Sequence, residues 1–180
     1  MSLAILILPL RATGAADSSR FRVYAGLGAA YPYGSLGTQS VYGWHAMGGV
    51  ALVPSRLSPD IEIVIRAAFD KFPPRDGLSR SQSVYELGLD FRFRLPYGSD
   101  VRPFLLAGIG YSRLSLKKPA DDPPTASDVT ENDLSVSPGI GLDIRAARSA
   151  RYFVEVRLVE ISSHFYQNFQ FIRLTAGIRL

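Results

Sequence analysis

At 180 residues, 47% apolar and 20% charged, the chain has room for one folded domain and reads as neither disordered nor helical-membrane, because no stretch approaches the ~18 uninterrupted apolar residues a spanning helix needs. The net charge of +4 comes from basic residues scattered singly, with no aromatic-lined stripe, which argues against a nucleic-acid partner. With no cysteine there is no disulfide, no thiolate metal site and no lipid-modified N-terminal cysteine.

Residues 1–16 read as an export signal with a start that is truncated or set too late, the alternative being a plain disordered tail. Leu3 to Leu10 is an apolar run, and Gly14 and Ala16 supply small residues for cleavage before Asp17, but no basic residue precedes the run. Residues 17–180 then form one domain of eight segments with period-two alternation. The first, Arg20–Ala30, puts Phe21, Val23, Ala25, Leu27 and Ala29 on one face. The second, Trp44–Val53, has no clear phase because Gly48 and Gly49 interrupt it. The third, Ile61–Lys71, aligns Ile61, Ile63, Ile65, Ala67 and Phe69. The fourth, Val84–Leu95, aligns Tyr85, Leu87, Leu89, Phe91, Phe93 and Leu95, and the fifth, Pro103–Leu114, aligns Leu105, Ala107, Ile109 and Tyr111. The sixth, Leu134–Arg145, contains Pro138, whose missing N–H predicts a bulge or a shifted boundary in a barrel without edges. The seventh, Tyr152–Glu160, aligns Val154, Val156 and Leu158. The eighth, Phe171–Leu180, alternates Ile172, Leu174, Ala176, Ile178 and Leu180 with a face that carries Arg173 and Arg179.

The opposite faces collect charge. Arg22, Glu62, Arg66, Asp70, Glu86, Asp90, Arg92, Arg94, Asp143, Arg145, Glu155, Arg157, Arg173 and Arg179 all fall on them, with no lysine among them. Such residues cannot face lipid, where a charge near the midplane costs ~2–4 kcal/mol, so the apolar faces point outward and the charges inward. An eleven-residue strand spans ~36 Å, reduced to ~28 Å by a ~40° tilt, which matches the ~25 Å apolar band of a membrane barrel. The connections alternate: Pro54–Asp60, Pro96–Arg102 and Ala146–Arg151 are short, while Tyr31–Gly43, Phe72–Ser83, Arg113–Asp133 and Ile161–Gln170 are long. Aromatics gather near the strand ends. Tyr31, Tyr33, Tyr42, Trp44, Phe69, Phe72, Tyr85, Tyr111, Phe165, Tyr166, Phe169 and Phe171 lie toward the long loops, and Phe21, Phe93, Tyr97, Phe104, Tyr152 and Phe153 toward the short turns. That distribution predicts two interfacial girdles. The fold class is therefore all-β, an eight-stranded antiparallel up-and-down transmembrane β-barrel. Eight strands leave an interior only wide enough for side chains, so the charges read as a packed ion-pair network and not an open pore. Inward glycines leave room for the long arginines opposite.

Three stretches carry a family resemblance. Arg102-Pro-Phe-Leu-Leu-Ala-Gly-Ile-Gly-Tyr111 and Ser137-Pro-Gly-Ile-Gly-Leu-Asp143 resemble the fifth and sixth strands of the small outer-membrane β-barrels, typified by outer-membrane proteins A and X. The terminal strand, with Ile172, Leu174, Ala176, Ile178 and Leu180 outward, resembles the signal read by the barrel-assembly machinery, although its last residue is Leu180 where the family usually has an aromatic. The resemblance covers about Phe21 to Leu180. It implies a monomer in the outer membrane of a Gram-negative cell envelope, porin-like in build. Its partners would be outer-membrane lipid and lipopolysaccharide, with the barrel-assembly machinery during insertion. The implied role is structural or surface-interactive: envelope integrity, adhesion, or binding through the long loops.

Some barrels of this size are lipid A deacylases or palmitoyl transferases. Ser162, Ser163, His164 and Glu160 offer a serine, a histidine and an acid close in sequence. The deacylases resemble one another in a histidine with a serine two positions on, and here that position is Tyr166. The expectation is therefore no catalytic site, no cofactor and no metal, with a lipid A-modifying enzyme as the alternative. His45 reads as a lumen or interface residue. Gly108-Ile-Gly110 lacks the third glycine and the helix of a nucleotide loop. The acids Asp121, Asp122, Asp128, Glu131 and Asp133 lack regular cation-ligand spacing and read as a solvated loop. Lys117–Asn132, rich in polar residues with paired prolines, is expected to be mobile. A second alternative, a soluble lipocalin-like barrel around an apolar ligand, requires the opposite phase, with leucines in and arginines out.

Overall fold

A computed structural model describes residues 20–34, 40–53, 58, 60–75, 81–96, 100–117, 129–145, 150–162 and 169–180. The strands are β1 (Arg20–Tyr33), β2 (Gly43–Val53), β3 (Ile61–Phe72), β4 (Ser81–Arg94), β5 (Val101–Lys117), β6 (Val129–Arg145), β7 (Arg151–Ile161) and β8 (Phe169–Arg179). Each pairs antiparallel with its sequence neighbours, and β1 pairs with β8 to close the barrel in the order β1 to β8. At the seam Val23 and Leu180 exchange backbone hydrogen bonds of 3.2 and 2.8 Å, so the terminal strand completes the wall. No helix among the described residues is long and apolar enough to cross a membrane; the chain crosses with strands.

Alternation dictates which way each side chain points, and the wall is apolar outside. Leu27, Leu87, Ile109 and Ile140 are each about 60–70% exposed, whereas Arg66, Asp70, Glu62 and Glu155 have no exposed surface. This phase rules out the lipocalin-like alternative, because the exposed face is the one that water would penalise. The second strand takes the same phase: His45, Met47 and Ala51 are buried in the lumen while Trp44 and Val50 face out.

The structure corrects two expectations. The fifth and sixth strands run to 17 residues each, and their pairing continues to Leu116 opposite Val129. Lys117 and 129–132 therefore belong to a hairpin that rises above the wall, not to a loop. The alternation persists there, with Leu114 and Leu116 buried inward and Arg113 and Lys117 outward, so the ladder has an apolar face to hold it. Pro138 causes neither a bulge nor a shifted boundary. It pairs with Ala107 on the β5 side, and the register to β7 is the same above and below it, Val136 with Glu160 and Gly139 with Arg157. Only the rungs at Ser137 and Pro138 are absent on the β7 side, so the missing N–H costs a local gap in the ladder and no insertion.

Candidate functional site: the charged lumen

The inward rows of β3, β4, β7 and β8 supply nearly all the lumen charge, and the barrel's curvature turns them toward one another. One connected set fills the middle. His45 Nδ1 lies 2.9 Å from Asp70 Oδ1. Arg173 grips Asp70 with two bonds, Nε to Oδ1 at 3.0 Å and Nη2 to Oδ2 at 2.6 Å, and its Nη1 lies 2.6 Å from Glu86 Oε2. Arg66 donates to Glu86 at 2.7 Å and to Asp90 at 3.0 Å. Arg157 bonds Asp90 at 2.8 Å and Glu155 at 2.6 Å, and Arg92 closes the chain on Glu155 at 3.0 Å. Ser135 adds a bond to Glu86 at 3.2 Å. Four arginines, Arg66, Arg92, Arg157 and Arg173, face four carboxylates, Asp70, Glu86, Asp90 and Glu155, so their charges balance. The fork of a guanidinium suits this work because it holds two carboxylates in fixed directions at once.

A second set lies toward the short-turn end, which in outer-membrane barrels is the periplasmic side. Glu62 accepts from Arg22 at 2.7 Å, from Arg179 at 2.9 Å and from Arg94, and Asp143 accepts from Arg179 and lies 3.3 Å from Arg94 Nε. Its three arginines meet two carboxylates.

These pairs are cross-barrel ties. Arg173 on β8 reaches Asp70 on β3, Arg157 on β7 reaches Asp90 on β4, and Arg179 on β8 reaches Glu62 on β3. The glycines make that possible. A Cβ on Gly108 would sit 2.3 Å from an Asp90 oxygen, one on Gly110 would sit 2.6 Å from Glu86, and one on Gly88 would sit 2.9 Å from Arg66. The space they leave is occupied by carboxylates as much as by arginines. Arg92 also lies over aromatic rings, 4.2 Å from the Phe104 centroid and 5.8 Å from those of Tyr24 and Phe153.

Thirteen of the fourteen charged residues read as luminal thus fall in these two sets. Arg145 does not. It ends β6, its side chain is 49% exposed, and its nearest acid is Asp100 at 3.9 Å on the periplasmic rim. Alternation assigns a side of the wall and not a depth, and Arg145 lies below the last luminal layer.

Pattern reading also misplaced rings. Phe72, Phe169 and Phe171 point inward, edge to face with centroids 5.2–6.1 Å apart, and with Ala30, Val84, Leu114, Val159 and Ile161 they form an apolar cap above the charges. Phe104 and Phe153 are likewise buried inside. Tyr31, Tyr42, Trp44, Tyr85 and Tyr111 do face out near the long loops, as do Phe21, Phe93 and Tyr152 at the other end. The parity of each ring within its strand carried the missed signal. Tyr97, Phe165 and Tyr166 lie outside the described residues, as do the signal segment 1–16, Ser163, His164, Asp121, Asp122 and Asp128. Ser162 is exposed at the end of β7, its N–H on the Leu134 carbonyl at 3.1 Å, and Glu160 faces outward. Glu131 and Asp133 lie on the inward side of the raised β6 segment. Ile172, Leu174, Ala176, Ile178 and Leu180 line the outer face of the terminal strand.

No protein-family model matches the chain, and neither does any curated protein. Solved structures do. Neisserial surface protein A is similar with a TM-score of 0.71 at 17% identity, over 91% of this chain and 99% of that one. The N-terminal β-barrel domain of Pseudomonas aeruginosa OprF gives 0.54 at 12% identity, over 91% and 100%. The outer membrane enzyme PagL gives 0.53 at 16% identity, over 88% and 98%. With its apolar wall, ionised interior and closed eight-strand order, the chain has the fold of the small outer-membrane β-barrels.

Proposed function

We propose that the protein is a monomeric outer-membrane barrel whose lumen is a structural plug and whose activity lies on its outer surface, in envelope integrity, adhesion or binding through the loops at the extracellular end. The observation that carries this reading is the set of cross-barrel ion pairs beneath a cap of phenylalanines. A conducting pore needs a continuous wet path, and here arginine forks from β7 and β8 span the lumen to acids on β3 and β4. The outward alternation of the terminal strand is the feature we assign to recognition by the barrel-assembly machinery.

The test is gel mobility after refolding from urea. A compact band should appear only with detergent micelles and slow after boiling, and planar bilayers carrying the folded protein should show no steady conductance. A chain that folds in plain buffer would overturn the membrane assignment, and a steady ohmic current would overturn the plug.

A second reading is an enzyme working on lipid A at the outer leaflet, favoured by the fold it shares with an outer membrane enzyme and by the exposed Ser162. Mass spectrometry of lipid A incubated with the folded protein decides between them. Under the first reading its acyl chains stay unchanged, and under the second the change is lost in Ser162→Ala.

A further inference from the structure

We propose that the outer wall of β3, β4 and β5, at its extracellular end, binds a phosphorylated glycolipid of the outer leaflet, with Lys71, Arg113 and Lys117 holding the phosphates. The inference rests on the membrane assignment above and adds a site to it. Strand register brings the three cations together on the lipid side of the wall: Lys71 pairs with Ser83, Ser83 with Ser115, Tyr85 with Arg113, and Ser81 with Lys117. Neighbouring strands are ~4.8 Å apart, so the patch is only about 10 Å wide. The Lys71 ammonium donates to Ser81 Oγ at 2.7 Å and to Ser83 Oγ at 3.1 Å, which fixes its head over β4. The ion pairs of the lumen and the periplasmic rim leave this wall aside, so among the described residues the three positive charges face the membrane interface with no ion-paired carboxylate on the wall.

Beside and beneath the cations runs a row of rings, Trp44 pairing with Lys71 and Tyr85 with Arg113, and Phe69 and Tyr111 next along the cations' own strands. Trp44 and Phe69 have centroids 5.0 Å apart and Phe69 and Tyr85 4.8 Å apart, and Tyr111 is exposed beside them on β5. Cations above and aromatics below match an amphiphile, with anionic oxygens at the headgroup level and acyl chains on the rings. Thr130 and Asn132 on β6, paired with Ser115 and Arg113, add hydrogen-bonding groups beside the cations. The far wall is different. At that end β7 and β8 face Glu160 and Gln170 outward, and neither is a cation. A belt that merely anchored the barrel would not need its cations on one side.

The experiment uses the full chain folded in phosphatidylcholine nanodiscs that contain bisphosphorylated lipid A. Lipid A retained per protein after exchange into detergent is read by mass spectrometry. Lys71→Gln/Arg113→Gln/Lys117→Gln should retain about thirtyfold less than the parent, since each cation near a charged lipid surface contributes separately. Arg145→Gln, which removes a cation from the periplasmic rim, should retain as much as the parent, and dephosphorylated lipid A should be lost from the parent itself. Equal retention by the triple variant overturns the proposal, and so does equal retention of phosphatidylglycerol by the parent. If the triple variant gives no compact band, Arg113→Gln alone is read, with about a threefold loss expected; retention equal to the parent again overturns the site. A parent that forms no compact band refutes the membrane assignment instead, so the two failures are distinguishable.

Discussion

The two ends of the lumen are closed by opposite means. At the extracellular mouth Phe72, Phe169 and Phe171 pack with Ala30, Val84, Leu114, Val159 and Ile161, all at most 1% exposed. At the periplasmic end the described residues form no such cap. Arg22, Arg94 and Arg179 share Glu62 and Asp143, and the Arg22 side chain is 27% exposed. The contrast shows where charge is worth most. Beneath the cap the arginines are buried and carboxylates are their main partners, whereas at the short-turn end solvent is an alternative partner.

The largest effect expected from this contrast is at Arg173. Its loss leaves Asp70 and Glu86 buried and short of a cation, and breaking a buried pair from one side costs ~3–5 kcal/mol. Arg173→Ala should lower the urea stability of the micelle-folded barrel by that amount; a cost below ~1 kcal/mol would mean that water reaches the ladder through the cap. Next is the cap itself. Phe72 is fully buried against two rings, and truncating such a side chain to alanine costs ~3–5 kcal/mol when the cavity stays empty. Phe72→Ala should fall at the low end, about 3 kcal/mol, because the Phe169 and Phe171 rings beside it can shift into part of the space. The two variants together should cost less than their sum if the cap acts by drying the ladder, and a double-mutant cycle in urea measures that coupling.

How much of this was legible follows from what alternation can encode. The fold was, because eight period-two segments with charged inner faces have one low-energy arrangement in lipid, and the phase put thirteen of the lumen charges where they lie. Arg145 was not, since depth within the wall depends on stagger between strands. Phe72, Phe169 and Phe171 sit near strand ends as girdle residues do, and only strict parity, carried past the predicted end of the third strand and ahead of the predicted start of the eighth, turns them inward. The raised hairpin was hidden by composition: 129–132 is polar, yet Val129 pairs with Leu116. Pairing of specific arginines with specific acids was not legible at all, because residues such as Asp70 and Arg173 meet across the barrel and not along a strand.

A steric test sharpens the picture of closure. A Cβ on Gly28 would lie 1.8 Å from the Leu174 carbonyl oxygen at the seam between β1 and β8, and backbone cannot step aside as a side chain can. Gly28→Ala should cost ~1–3 kcal/mol in the same urea titration. Gly48, whose nearest neighbour would be 3.6 Å away, is the control, and Gly48→Ala should leave stability unchanged or slightly raised. Equal costs at the two positions would mean that the seam yields.

The smallest expected effect decides the comparison between the ends. Arg22 bonds Glu62 at 2.7 Å, a distance as short as those under the cap, so geometry alone would rank it with Arg173. But Glu62 keeps Arg94 and Arg179 when Arg22 is removed, and the partly exposed guanidinium gains water in place of the carboxylate. Discounted for solvent screening, Arg22→Ala should cost no more than ~1 kcal/mol. Added salt should erase that cost, since exposed charges are screened over ~10 Å at 0.1 M, while the cost of Arg173→Ala should persist because ions do not enter the capped layer. If Arg22→Ala proves as damaging as Arg173→Ala, and equally indifferent to salt, then the periplasmic end is as dry as the middle. The phenylalanine cap would then be a feature of packing and not the source of the network's strength.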